Sequence, residues 1–308
     1  MCQLFTKPGD VIVAESPVYF LALYTFNDCG LKVHEVRSDE NGLDVELLER
    51  KLKEGLRPKL VYTVPLGNNP IGCTMSESRR KKLIELAREY DFRIAADEVY
   101  MFLLFPEQMK RSKSLVCYDD IQGDCRVFSI NSFSKILGPG LRMGWMVTGK
   151  KYIERMLDGG LIQSGGGLNP LTSGVVLEMM KEGVHLKQSE TLRKLFKNNC
   201  EVLCQGVNQK VQVALLPGEE VKYVTPTGGY FLWIILPERF DTSRLLELAQ
   251  KKYGVNFFPG KRFGADAKSY SNCLRLCFAY LDSPALKEGV DRLAQAIGDY
   301  DNHYAVKN

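Results

Sequence analysis

The sequence predicts an α/β protein, with a mostly parallel sheet flanked by helices and a smaller α+β C-terminal domain behind it. Two patterns lead to that reading. Through the first half, short apolar runs alternate with amphipathic helical stretches, which is the signature of crossover units. After Pro170 the alternation stops, and a long polar-faced helical stretch leads into strands bunched with helices. A large domain over 1–182 and a linking helix with a small domain over 183–308 follow from that change. The chain has 308 residues, 45% hydrophobic and 25% charged, enough to bury cores of this size.

In chain order, strands are predicted over 11–14, 32–36 and 60–64, with a helix over 45–53 between the last two. A second helix is predicted over 77–89. Ser76 stands where its hydroxyl can cap the first turn, and Leu83, Ile84, Leu86 and Ala87 share one side. Strands over 93–96, 126–130 and 145–148 complete the first half. Helices over 171–181 and 186–209 come next, the second long enough to link two domains. Strands over 221–224 and 230–236, a helix over 243–253, strands over 255–258 and 274–279 and a helix over 285–297 make up the remainder.

Charge and composition exclude several classes. The 41 basic and 37 acidic residues are dispersed and sum to +4, so there is no electrostatic footprint for nucleic acid or an anionic membrane. No apolar run approaches a bilayer span, and the cytoplasm is the expected compartment. Nine scattered cysteines do not form a secreted disulfide framework. With three histidines in all, buried free thiols are the expectation rather than a metal site.

In open parallel sheets, ligands bind beyond the carboxyl ends of the strands, where loops and helix N-termini converge. Three predicted strands end in reactive side chains. The 60–64 strand runs into Pro65-Leu66-Gly67-Asn68-Asn69-Pro70. The 93–96 strand runs into Asp97-Glu98-Val99-Tyr100. The 126–130 strand runs into Asn131-Ser132-Phe133-Ser134-Lys135, with Arg142 beyond a Gly/Pro turn. An amine flanked by hydroxyls and a guanidinium suits a phosphorylated aldehyde, which the amine can hold covalently. A carboxylate suits a protonated ring nitrogen, and a phenol and an amide suit a ring oxygen. Singly, each also reads as structure: Asn-Pro is a turn and Asp-Glu closes many strands. The joint occurrence, in this order and at βα spacing, carries the reading.

Asn69-Pro70-Ile71-Gly72, Asp97-Glu98-Val99-Tyr100, Ser132-Phe133-Ser134-Lys135 with Arg142, and Asn272-Cys273-Leu274-Arg275 resemble the four signature regions of class I/II aminotransferases. These are fold type I pyridoxal-phosphate (PLP) enzymes, and the look is nearest to the kynurenine/2-aminoadipate branch. The resemblance implies pyridoxal 5'-phosphate as cofactor, amino acid and 2-oxo acid substrates, and a homodimer. By it, Lys135 is the cofactor anchor and general base, Asp97 faces the ring nitrogen, and Tyr100 and Asn69 face the ring oxygen. Ser132, Ser134 and Arg142 hold the phosphate, Tyr19 stacks on the ring, and Asn69 and Arg275 meet the substrate, Arg275 clamping its carboxylate. The blander readings are a core or turn Tyr19 and an edge-strand Arg275. The glycines of 163–170 fall where the family places a loop near the partner's active site. Members of the family carry an N-terminal arm, an early strand and helix and a phosphate-contacting loop before the point that matches Met1. The expectation is therefore a chain truncated relative to the family. A fold type I PLP lyase, or a truncated inactive aminotransferase-like protein, stays open beside the aminotransferase.

Overall fold

The computed structural model describes residues 1–165, 168–266 and 269–304. Gly166 and Gly167, part of the glycine loop singled out above, lie outside the described residues. Among these residues, seven strands form one sheet: β1 Val11–Ser16, β2 Lys32–Asp39, β3 Gly42–Leu43, β4 Leu60–Thr63, β5 Arg93–Asp97, β6 Val127–Ser132 and β7 Gly144–Val147. Their order is β3-β2-β1-β4-β5-β6-β7. The five central strands are parallel, and β3 and β7 pair antiparallel at the two edges. The chain leaves β1 first to one side and then, through β4, to the other, so the order reverses between β1 and β4. Ligands of such sheets bind at that reversal.

Alternation along the strands builds two cores. Val13, Val61, Ile94, Ala96 and Val127 face helices Val45–Lys53 and Glu77–Glu89 through Leu48, Leu52, Leu83, Leu86 and Ala87. Ile12, Ala14, Leu60, Tyr62 and Ala95 face the other way, toward Phe26 of helix Phe20–Asp28 and the second half of the chain. The two predicted helices have the expected bounds because their caps work. Asp44 accepts from the Leu47 amide at 2.8 Å, and Ser76 from the Arg79 amide at 3.4 Å.

The second sheet is antiparallel, in the order β10-β11-β9-β8, from β8 Lys222–Tyr223, β9 Phe231–Ile235, β10 Phe258–Pro259 and β11 Cys273–Cys277. Helices Val184–Gly206, Thr242–Leu248 and Ser283–Gly298 pack on it with Phe196, Leu203, Leu245, Val290 and Leu293.

Three expectations need correction. The strand expected over 255–258 is reduced to the pair Phe258–Pro259, because the Val255 amide bonds back to the Ala249 carbonyl and closes a helical turn there. Helix Phe20–Asp28 was not foreseen. Of the thiols, Cys117 and Cys277 are exposed rather than buried.

Candidate active site

Lys135 ends a single 3-10 turn, Phe133–Lys135, directly after β6. Ser132 starts that turn by accepting from the Ser134 amide at 3.1 Å. The lysine backbone is held from the other sheet: the Tyr230 phenol donates to its carbonyl at 2.8 Å, and the ammonium lies 5.7 Å from the centre of the same ring. Burial lowers the affinity of the amine for its proton, and Arg142 and Arg275 lower it further, against the charges of Asp97 and Cys277.

Asp97 closes β5, the neighbour of β6. Its Oδ2 accepts from the Tyr62 phenol at 2.7 Å, while its Oδ1 is buried and without a partner among the described residues. Burial raises its carboxyl above the usual range, with the Tyr62 bond, the Val99 amide and Lys135 pulling the other way. A buried carboxylate with one oxygen open is incomplete without a donor or cation opposite it. Tyr19, Tyr62, Asp97 and Ile130 line a common cavity of about 490 Å³. The next residue, Glu98, belongs to the opposite face. It is fully buried and takes Ser114, Ser129 and the Leu115 amide, which fixes the exit of β5 from behind.

Tyr100 is buried, its ring edge-on to Tyr230 at 5.2 Å, and burial holds its phenol well above the ordinary value. The close fit behind it depends on glycine. Gly67 (φ +62°) and Gly229 (φ +75°) meet backbone to backbone, and a Cβ on Gly229 would stand 2.9 Å from the Gly67 carbonyl oxygen.

Arg275 joins the two sheets. It projects from β11, and its Nη1 donates to Asn69 Oδ1 at 2.8 Å. The guanidinium carbon stands 3.8 Å from the ring centre of Phe231 and 4.7 Å from that of Phe258. The residue is 7% exposed, burial brings its pKa down to about 10, and its Nε is buried without a partner among the described residues. A buried cation with a single neutral acceptor is an anion receptor awaiting its anion.

Asp97, Tyr100, Lys135, Asn69 and Arg275 are thus brought together at the exits of β4, β5 and β6. Tyr19 reaches them along the cavity wall, where burial and then the charge of Asp97 raise its phenol and Arg275 opposes. Ser132 and Ser134 sit on the lysine turn. Arg142 is exposed, in the left-handed region at φ 50°, and its Nη1 donates to the Pro139 carbonyl at 3.2 Å. Sequence reasoning missed Tyr62 and Tyr230 as functional groups, although both fall inside segments singled out above. No sequence signal marks Tyr62: its meaning comes from the β4/β5 register, which sets it opposite Ala95 and within reach of Asp97.

A doubly wound sheet that presents an amine and an open carboxylate at adjacent strand ends, beside a buried guanidinium, defines a protein built to hold an electrophilic ring and a carboxylate ligand together. The family model for class I and II aminotransferases matches residues 1–293, and the chain belongs to that family. It is 35% identical over 300 residues to aromatic-amino-acid aminotransferase 1 of Thermococcus litoralis, covering 96% of this chain and 68% of that protein. It is 30% identical over 297 residues to 2-aminoadipate transaminase of Thermus thermophilus, covering 96% and 71%. The crystal structure of Pyrococcus horikoshii kynurenine aminotransferase, in complex with PMP and with kynurenine as substrate, matches with a TM-score of 0.85 at 35% identity, over 97% of this chain and 72% of that one. The fold type I architecture and the aminotransferase family expected from the four motifs are both correct.

Proposed function

We propose that this chain moves an amino group from an L-amino acid to a 2-oxo acid with pyridoxal 5'-phosphate bound between β4, β5 and β6. The observation that carries the proposal is the open Oδ1 of buried Asp97 one strand from the proton-poor amine of Lys135. When bound, the cofactor supplies an aldehyde for amines to add to and a protonated ring that draws electrons from the substrate α-carbon.

The residues fit that group, and each has a task its surroundings support. Burial keeps Lys135 Nζ neutral more of the time, the form that attacks a carbonyl and takes a proton. Asp97 Oδ1 would favour a protonated ring nitrogen, whose charge and N–H both offset the burial of the carboxylate. Tyr100 stays protonated and so remains a donor. Asn69 gives its oxygen to Arg275, which leaves its amide N–H groups free to donate. Ser132, Ser134 and Arg142 would hold the phosphate, and Tyr19 would supply an aromatic face to the ring. Arg275 presents its remaining N–H groups to the α-carboxylate, a planar fork against a planar anion.

Donors of aromatic, 2-aminoadipate and kynurenine type are the first to test, from the relatives' names. The proposal includes a division at 182/183 into a large and a small domain, a cytoplasmic setting and a homodimer. For the dimer, helix Pro170–Lys181 exposes Leu171, Val175, Leu177 and Met180. Among the described residues, no helix is long and apolar enough to cross a membrane.

The test is cofactor binding. Purified protein given PLP should gain a visible absorption band, and borohydride reduction with peptide mapping should label Lys135. Lys135→Ala should lose both. A label on another lysine in folded, PLP-saturated protein refutes the proposal.

A further inference from the structure

A second fully enclosed carboxyl at the strand ends, Glu15, touches none of the groups above. It stands next to the last residue of β1, at the reversal of strand order, and is 0% exposed. Its Oε1 accepts from the Val64 amide and from Asn68 Nδ2, both at 2.8 Å, and its Oε2 accepts from Thr63 Oγ1 at 2.7 Å. All three donors lie at the end of β4 or in the turn that follows.

Asn68 passes the constraint on. Its Oδ1 accepts from the Ile71 amide at 3.0 Å, its carbonyl accepts from the Gly72 amide at 2.8 Å, and its own amide donates to the Cys73 carbonyl at 2.8 Å. The side chain supplies one of the three bonds that close the turn, the other two being backbone, and Glu15 and the Val64 carbonyl hold that side chain. Asn69 is the next residue, and Asn69 is the group that Arg275 meets.

We propose that Glu15 is a positioning residue for substrate-carboxylate recognition: through Asn68 it fixes the β4-exit turn, which places Asn69 Oδ1 and so orients the Arg275 guanidinium. This inference rests on the reading of Arg275 as the carboxylate clamp. The number of acceptors matters here more than the charge. An apolar side chain at position 15 would leave three buried donors unpaired, and the turn would move to find partners for them. Glutamine would not: its oxygen keeps both N–H donors, and its amide donates to the Thr63 hydroxyl, which rotates to accept.

The experiment is steady-state and half-reaction kinetics of the PLP-loaded protein, with PLP affinity measured by absorbance. Glu15→Val is expected to raise KM for the amino donor about tenfold, the weight of one misplaced charge-assisted hydrogen bond, with PLP affinity and band unchanged. Glu15→Gln should return KM to within about twofold of the parent. An amine donor lacking the carboxylate should respond equally in all three proteins, which a general loosening of the fold would not allow. Asn68→Ala removes the second link with Glu15 in place and should raise KM as Glu15→Val does. This variant also serves should Glu15→Val fail to fold. Gln failing as Val does, PLP affinity falling in step with KM, or a folded Asn68→Ala with unchanged KM would each overturn the role of Glu15. Arg275→Lys is run in parallel. If it too leaves KM unchanged, the clamp reading has failed and the inference with it; a rise there alone condemns only Glu15.

Discussion

Replacing Glu15 by glutamine should change how stability depends on pH, and the size of the change follows from where the carboxyl sits. Burial pushes its pKa up to about 7 in the folded chain, against the bonds from Thr63, Val64 and Asn68, and the charge of Asp97 adds to the rise. The ordinary value is 4.5. Below pH 4.5 the group is protonated in both states and its contribution is fully present. Between 4.5 and 7 the unfolded chain gives up the proton while the folded chain keeps it, so the free energy of unfolding falls as pH rises. Above 7 both states are ionised and the contribution is gone. A gap of about 2.5 pH units, at about 1.4 kcal/mol each, makes the loss ~3 kcal/mol. Urea unfolding of both proteins across this range measures it as a difference. Glu98, also raised by burial, titrates in both proteins and cancels, and the Asp97 coupling enters the difference only through the rise it gives Glu15. The parent should lose ~3 kcal/mol relative to Glu15→Gln on going from pH 4.5 to above pH 7. A flat difference curve, or one of opposite slope, would show that the enclosed carboxyl is not held protonated and would refute the reasoning.

Asp97→Ala should retain measurable PLP binding while turnover falls about a hundredfold or more, since a preorganised charge at the ring nitrogen is lost; near-parental kcat would remove Asp97 from the mechanism. Tyr62→Phe takes away the phenol that pulls the Asp97 carboxyl down. The acid limb of the kcat profile should therefore move to higher pH, and an unmoved limb would show that the 2.7 Å bond has no electrostatic role. Arg275→Lys should raise KM for carboxylate substrates far more than it weakens PLP binding, because a point charge cannot offer two parallel N–H groups; equal losses would mark a structural arginine. Phe128→Ala, at a fully buried position against Phe5 and Tyr152, should cost about 3–5 kcal/mol in urea unfolding, and a cost below about 1 kcal/mol would mean that this face of the sheet is loosely packed.

What could be read from the sequence was whatever is local in it. Helices 45–53 and 77–89 have the expected bounds because Asp44 and Ser76 cap them and apolar spacing runs through both. Helix Phe20–Asp28 was hidden: Tyr19 offers no side-chain cap, and large residues such as Leu21 and Tyr24 face solvent, which blurs the periodicity. The strand-end residues Asn69, Asp97 and Lys135 were legible because each follows its own apolar run. Tyr62, Glu15 and Tyr230 were not, because what gives them meaning lies 35, 49 and 95 residues away in the chain. Register between strands decides those pairings, and composition does not encode it.

The seat of Lys135 is shared between parts of the chain made at different times. β6 and its turn put the amine at the rim, yet the phenol that steadies its carbonyl and the ring beneath its ammonium both belong to Tyr230. A chain that has completed only its first seven strands has the lysine without that support. The contacts that seat the lysine are complete only when the strand carrying Tyr230 has packed against the first sheet, so the rim of β6 is finished late in the order of the chain.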